Sequence, residues 1–181
     1  GARGDDRLRA GRSVPPDAAR LERDIEVGSA RGLPGIAFGS DHAGYELKQH
    51  LIERLRAQGH EILDNGTNST ESVDYPAFCA AAARSVRDGD ADVGIVMGGS
   101  GQGEQLAANK VRGIRASLCV DAEAARATVA HNDSNVLCLS GDRVTPDRAW
   151  LITQAWLAAA FEGDRHARRV QKIRDYEDAH A

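Results

Sequence analysis

Aromatic side chains are scarce in this sequence: three Phe, three Tyr and two Trp among 181 residues. So few rings argue against a base-stacking platform of the kind that holds single-stranded nucleic acid. Basic residues are not in excess either. There are 23 Lys and Arg against 27 Asp and Glu, a formal net charge of -4, which argues against broad electrostatic association with a polyanion. No apolar run approaches the roughly 20 residues of a membrane-spanning helix, and no signal-type apolar segment occurs. Cysteine is confined to Cys79, Cys119 and Cys138, each in apolar or alanine-rich surroundings and without CxxC spacing. Such residues read as reduced, buried small hydrophobes. These exclusions point to a cytoplasmic globular protein, long enough for one domain whose core needs no staples.

Residues 1–33, rich in Arg, Asp, Gly and Pro and broken by Pro15-Pro16, predict a flexible N-terminal arm with at most a short helix over 17–24. Residues 34–181 form the domain. There, short apolar runs alternate with amphipathic stretches. Strands are predicted over 35–39, 60–63, 93–97, 114–120 and 136–139, and helices over 45–58, 76–87, 104–110, 122–130, 146–161 and 165–179. Five strands separated by helices predict a Rossmann-like, three-layer α/β/α sandwich with a five-stranded parallel sheet and a C-terminal helix. In such sheets ligands sit beyond the carboxyl ends of the strands. The loops after the first, third and fifth strands are therefore the ones to inspect.

The third of these strands runs into Gly98-Gly99-Ser100-Gly101-Gln102-Gly103. The glycines fit neither the dinucleotide fingerprint nor a P-loop. Four glycines in six residues between a strand and a helix suit a cradle of backbone N–H groups around an anion. Glu104 follows directly. Alone it reads as a helix-capping carboxylate, but beside an oxyanion cradle it stands where a general base is needed. Asp41, after the first strand, reads as a helix cap, and His42 beside it suits a phosphate or a sugar hydroxyl. His131-Asn132-Asp133 closes a helix, where His131 either complements the dipole or serves as general acid. Arg165 and Arg169 are spaced i,i+4 within the densest basic cluster, so two guanidinium forks on one face could clamp an oxyanion. His50, His60 and His180 read as solvated, and no HExxH or comparable spacing appears, so no metal is expected.

Taken in order, Ser40-Asp41-His42-Ala43-Gly44, Asp74-Tyr75-Pro76, Gly99 to Gly103, Ala107-Ala108-Asn109-Lys110, His131-Asn132-Asp133 and Gly163 to Arg169 resemble the ribose-5-phosphate isomerase type B family, which includes the galactose-6-phosphate isomerase subunits. The resemblance covers about four fifths of the chain and omits the arm. It implies cofactor-free aldose–ketose isomerisation of ribose 5-phosphate and ribulose 5-phosphate through an enediolate, in a homodimer with active sites between subunits. One branch of the family uses a Cys base just ahead of the glycine loop, a position filled here by Gly98 or Gly99. The chain resembles instead the branch whose base is a Glu after the loop, here Glu104. The anion hole then consists of Gly99, Ser100, Gly101, Gln102 and Gly103. By the same resemblance His131 opens the furanose ring with help from Asp41, Asn132 binds the sugar, and Arg165 and Arg169, with His42, hold the phosphate. Arg143 is a further phosphate ligand, although it lies twelve residues after His131 where the family has eleven. The alternatives are an isomerase of a phosphorylated hexose, allose 6-phosphate or galactose 6-phosphate, and a non-catalytic sugar-phosphate-binding module.

Overall fold

The structure, a computed structural model, describes residues 33–180. The arm expected over residues 1–33, with its short helix, lies outside the described residues but for Leu33. The element order is β1 (Ile36–Ser40), α1 (Tyr45–Ala57), β2 (Ile62–Asp64), α2 (Tyr75–Asp88), β3 (Val93–Gly98), α3 (Gln102–Ala108), β4 (Ala116–Leu118), α4 (Ala122–Asn132), β5 (Val136–Ser140), α5 (Pro146–Leu157) and α6 (Asp164–Ala179). The five strands pair in parallel in the order β2-β1-β3-β5-β4. The architecture is the α/β/α sandwich that the sequence predicts.

The two-residue period of the central strands sorts their side chains into two cores. Ile36, Phe38, Ile95, Met97, Leu137 and Leu139 face α1 and α5, meeting Leu51, Leu55, Ile152 and Trp156. Ala37, Val96, Val136 and Cys138 face the other way, toward Cys79, Ala82 and Ala83 of α2. The second layer is built from small residues because α2 lies directly on β1. A Cβ at Gly39 would stand 2.7 Å from Phe78 O and 3.1 Å from Ala82 Cβ. All three cysteines are buried free thiols.

Four expectations are corrected. The second strand pairs at Ile62–Asp64 rather than 60–63, and His60 is buried, its Nδ1 2.9 Å from Pro34 O, rather than solvated. The fourth strand shrinks to Ala116–Leu118 because side-chain amides take over its first backbone groups. Asn135 Oδ1 accepts from Arg115 N–H at 2.8 Å and Asn109 Oδ1 from Ala116 N–H at 2.7 Å. The helix expected over 146–161 stops at Leu157, where the chain leaves to donate Glu162 N–H to Ala130 O at 3.0 Å.

One buried ion pair ties the sheet edge to the loop that follows it. Lys48 on α1 is fully buried, and its Nζ donates to Asp64 Oδ2 at 2.6 Å and to Thr67 O at 2.8 Å. Asp64 keeps 29% of its side chain exposed, so the two partners are not equivalent. Asp64→Ala leaves the ammonium with only the Thr67 carbonyl and the face of the Tyr45 ring 5.4 Å away, and is expected to cost an amount at the lower end of the roughly 3–5 kcal/mol seen for broken buried pairs. Lys48→Met leaves a carboxylate that water can reach and is expected to cost less. Urea denaturation of both variants checks the order, and a larger loss for Lys48→Met would contradict it.

Candidate active site

At the end of β1, Asp41 is buried and its Oδ1 accepts from the N–H groups of Ala43 and Gly44 at 3.0 and 3.1 Å. The carboxylate thus shapes the turn into α1, as its capping reading requires. That turn is pressed against β3, since a Cβ at Gly44 would stand 2.6 Å from Met97 O. His42 Nδ1 lies 3.2 Å from Val73 N and 3.3 Å from Val73 O, so the Val73 backbone holds the ring in place.

The glycine loop leaves β3 beside this turn. Its carbonyls are held from the β5 side: Gly141 N–H donates to Gly98 O at 2.7 Å, Asp142 N–H to Gly99 O at 3.1 Å, and Ser140 Oγ to Gly99 O at 2.7 Å. Cys138 Sγ donates to Gly101 O at 3.0 Å. Gly101, at φ +78°, turns the chain into α3 through a conformation that glycine adopts without strain. Ser100 Oγ accepts from Gln102 N–H at 3.2 Å. With the carbonyls tied back, the N–H groups of Gly99, Ser100 and Gly103 have no acceptor among the described residues. A loop with its carbonyls fixed on one side and its donors unmatched is prepared to receive an anion.

Glu104 completes this end. It is 3% exposed, its Oε2 has no hydrogen-bond partner, and its carboxylate lies so close over Gly98 that a Cβ there would overlap Oε1. Burial holds its carboxyl above the ordinary glutamate range. The N–H groups of Glu104 and Gly101 pull the other way, while the charges of Asp41 and Asp142 add to the rise. The buried thiol of Cys79, close to Glu104 and Asp41, is pushed up to about 12, mainly by burial. It is therefore not the base of this cluster. Two residues to which the sequence assigned no role belong here. The ring of Tyr75 packs on Gly103 so closely that a Cβ there would overlap it, and Asp142 Oδ2 stands 2.9 Å from the place a Cβ on Gly99 would take. Asp142 lies directly before Arg143, and the long spacing from His131 to Arg143 is the signal that points to this turn. Arg143 is exposed on the same turn.

The remaining expected residues do not join this cluster within one chain. His131 and Asn132 are exposed in the last turn of α4, which runs antiparallel to the sheet and ends where β5 begins. The five residues of β5, at about 3.3 Å each, separate them from the glycine loop by roughly 17 Å. Arg165 and Arg169, both exposed on α6, lie with them. Between the two arginines, His166 turns inward and stacks on His131 with ring centroids 4.4 Å apart. Its pKa is lowered by burial first, then by His131, Arg165 and Arg169, against an opposite pull from Glu162. The structure therefore gathers Asp41, His42, the Gly99–Gly103 loop, Glu104 and Arg143 at the carboxyl end of the sheet. It places His131, Asn132, Arg165 and Arg169 at the other.

Comparison with known proteins extends this geometry. Residues 36–173 match the family model described as Ribose/Galactose Isomerase. The chain is 43% identical over 138 residues to ribose-5-phosphate isomerase B of Escherichia coli (76% of this chain, 93% of that protein). Over 148 residues it is 43% identical to the protein of the same name from Mycobacterium tuberculosis (80% and 91%). Among solved structures, ribose-5-phosphate isomerase B of Clostridium thermocellum superposes with a TM-score of 0.80 at 46% identity, covering 81% of this chain and 99% of that one. That of Mycoplasma genitalium with bound ribulose-5-phosphate superposes with a TM-score of 0.76 at 40% identity, covering 80% and 96%. With a family model matched from β1 into α6, and relatives above 40% identity over nearly their whole length, the chain belongs to the ribose/galactose isomerase family.

Proposed function

We propose that this protein is an isomerase interconverting ribose 5-phosphate and ribulose 5-phosphate, with Glu104 as the base. The observation that carries the assignment is the Glu104 carboxylate, buried, with one oxygen unpartnered, beside a loop of unmatched backbone donors. Glu104 takes the proton from C2 of the open-chain aldose and returns it to C1, while the hydroxyl proton on O2 passes to O1. The enediolate oxygen that forms between these steps is held by the unmatched N–H groups of the Gly99–Gly103 loop, those of Gly99, Ser100 and Gly103. The reaction reduces C1 and oxidises C2 within one molecule, so no external oxidant or cofactor is required. Triosephosphate isomerase divides the labour in the same way, between a carboxylate base and a separate group that polarises the carbonyl.

Ring opening and phosphate binding join this end to the other end of a second copy. His131 donates the proton that opens the furanose ring, assisted by Asp41, Asn132 binds the sugar, and Arg165, Arg169 and His42 hold the phosphate. Arg143, exposed on the glycine-loop side, meets that phosphate in this reading where the two ends of different chains face each other. The reading is thus of a cytoplasmic homodimer of the pentose phosphate pathway, with a domain over 34–181 and the arm outside the chemistry. Its support is the distance between the two half-sites in one chain, together with a neighbour solved with ribulose-5-phosphate bound.

The direct test is turnover of ribose 5-phosphate with chelator present, beside allose 6-phosphate and galactose 6-phosphate. Ketose formation from the pentose is expected to dominate. Turnover of a hexose phosphate alone would keep the chemistry and change the substrate, and binding of all three without turnover would leave a sugar-phosphate-binding module. The pH profile adds a second check. Protonation disables the base, so kcat/KM is expected to fall on the acid side at a pH above that of an ordinary glutamate. Asp142→Asn removes one of the charges that raise it and is expected to move that limb to lower pH. An acid limb in the ordinary glutamate range in the wild type would contradict the assignment of Glu104.

A further inference from the structure

We infer that His131, Glu162 and His166 form a binding site for a zinc-class divalent cation. The chain path builds it. As α5 ends, the Glu162 backbone bonds to Ala130 O, which sets the Glu162 carboxylate against the last turn of α4. Helix α6 then starts at Asp164 and turns His166 inward. His131 Nε2 and His166 Nε2 come to lie 3.9 and 3.7 Å from the same oxygen, Glu162 Oε2. One ligand atom from each residue lies within 4.8 Å of the others.

Ligand atoms about 2.0–2.1 Å from a tetrahedral zinc are about 3.3–3.4 Å from one another. Two of the three edges are therefore close to a bound geometry already. The parallel imidazoles require the exposed His131 to rotate toward the buried His166, and His131, 46% exposed, is free to do so. Two imidazoles and a carboxylate are a donor set that zinc accepts while a fourth position stays open, and two of the three, His131 and Glu162, are exposed in the chain. A simple ion pair accounts for the cluster less well. Both nitrogen–oxygen distances exceed a hydrogen bond, and His166 Nε2 is buried without a partner in a residue only 6% exposed. A bridging cation supplies what that nitrogen lacks. The charges of Arg165 and Arg169 oppose a dication nearby and keep the affinity moderate. The spacing of the sequence gives no sign of the site, because only Glu162 and His166 are close along the chain.

The consequence for activity rests on the proposed function: a cation on His131 blocks the ring-opening donor. The test titrates the chelator-treated full-length chain with Co2+, following the visible absorption of four-coordinate cobalt, and then displaces it with Zn2+. One ion per chain is expected, with Zn2+ inhibiting isomerisation over the same concentration range. Glu162→Gln alters an exposed residue outside the catalytic set. It is expected to weaken cation binding at least about tenfold, the loss that even outer-sphere partners of metal ligands cause. His166→Gln is expected to weaken binding likewise. Absence of saturable binding, or binding that neither variant weakens, would overturn the site. Binding that Glu162→Gln weakens, with turnover indifferent to Zn2+, would uphold the site and instead refute the role given to His131.

Discussion

Replacing Glu104 with Gln is expected to lower kcat by roughly 10²–10⁴-fold, the span that a positioned general base contributes, while binding of ribose 5-phosphate survives. The substitution keeps the shape of the side chain and removes only its ability to accept the proton. The carboxylate's position generates a companion result. A Cβ at Gly98 would overlap Glu104 Oε1, so Gly98→Ala forces the carboxylate out of place with the base still present. Its kcat is expected to fall nearly as far as in Glu104→Gln. Both are read by steady-state kinetics beside calorimetric binding of the sugar phosphate, with circular dichroism to confirm the fold. Turnover of Glu104→Gln within twofold of wild type would assign the proton transfer elsewhere. The same overlap gives a physical reason why a side chain just ahead of the loop and a glutamate just after it are alternatives. At Gly98 there is room for one of them.

The central sheet was legible because β1, β3 and β5 are apolar on both faces, a pattern that only a covered parallel strand requires. The edges were not. Ala116 and Arg115 bond to the side chains of Asn109 and Asn135, and no periodicity reports that a side-chain amide will replace a ladder. The burial of His60 is invisible in the sequence for a related reason, since it depends on Pro34 O arriving from the start of the domain. At the site, Glu104 could be found from its place after a strand and a glycine loop, which is local information. The nest of Glu162 against His131 and His166 could not, because it depends on where the chain goes after α5. Asp142 was visible only as an extra residue in a turn, and its effect on Glu104 needed the fold.

Activity that neither parent possesses is expected when Glu104→Gln and His131→Ala chains are mixed. In one chain β5 separates the ends that carry these two residues, so under the proposed function each active site draws Glu104 from one copy and His131 from the other. A dimer of two Glu104→Gln chains has no base, and a dimer of two His131→Ala chains has no ring-opening donor. In the mixed dimer one site carries both lesions, whereas the other pairs the intact Glu104 of one chain with the intact His131 of its partner. Random exchange makes half the dimers mixed, each with one native site of two, so activity should recover to about a quarter of the wild-type value. Co-expression with two different tags, followed by tandem purification of the mixed species, raises the expectation to about half. Sedimentation identifies the dimer in each sample. If the purified mixed dimer stays as inactive as its parents, the two residues belong to one site in one chain, and the interface assignment fails whatever the mass.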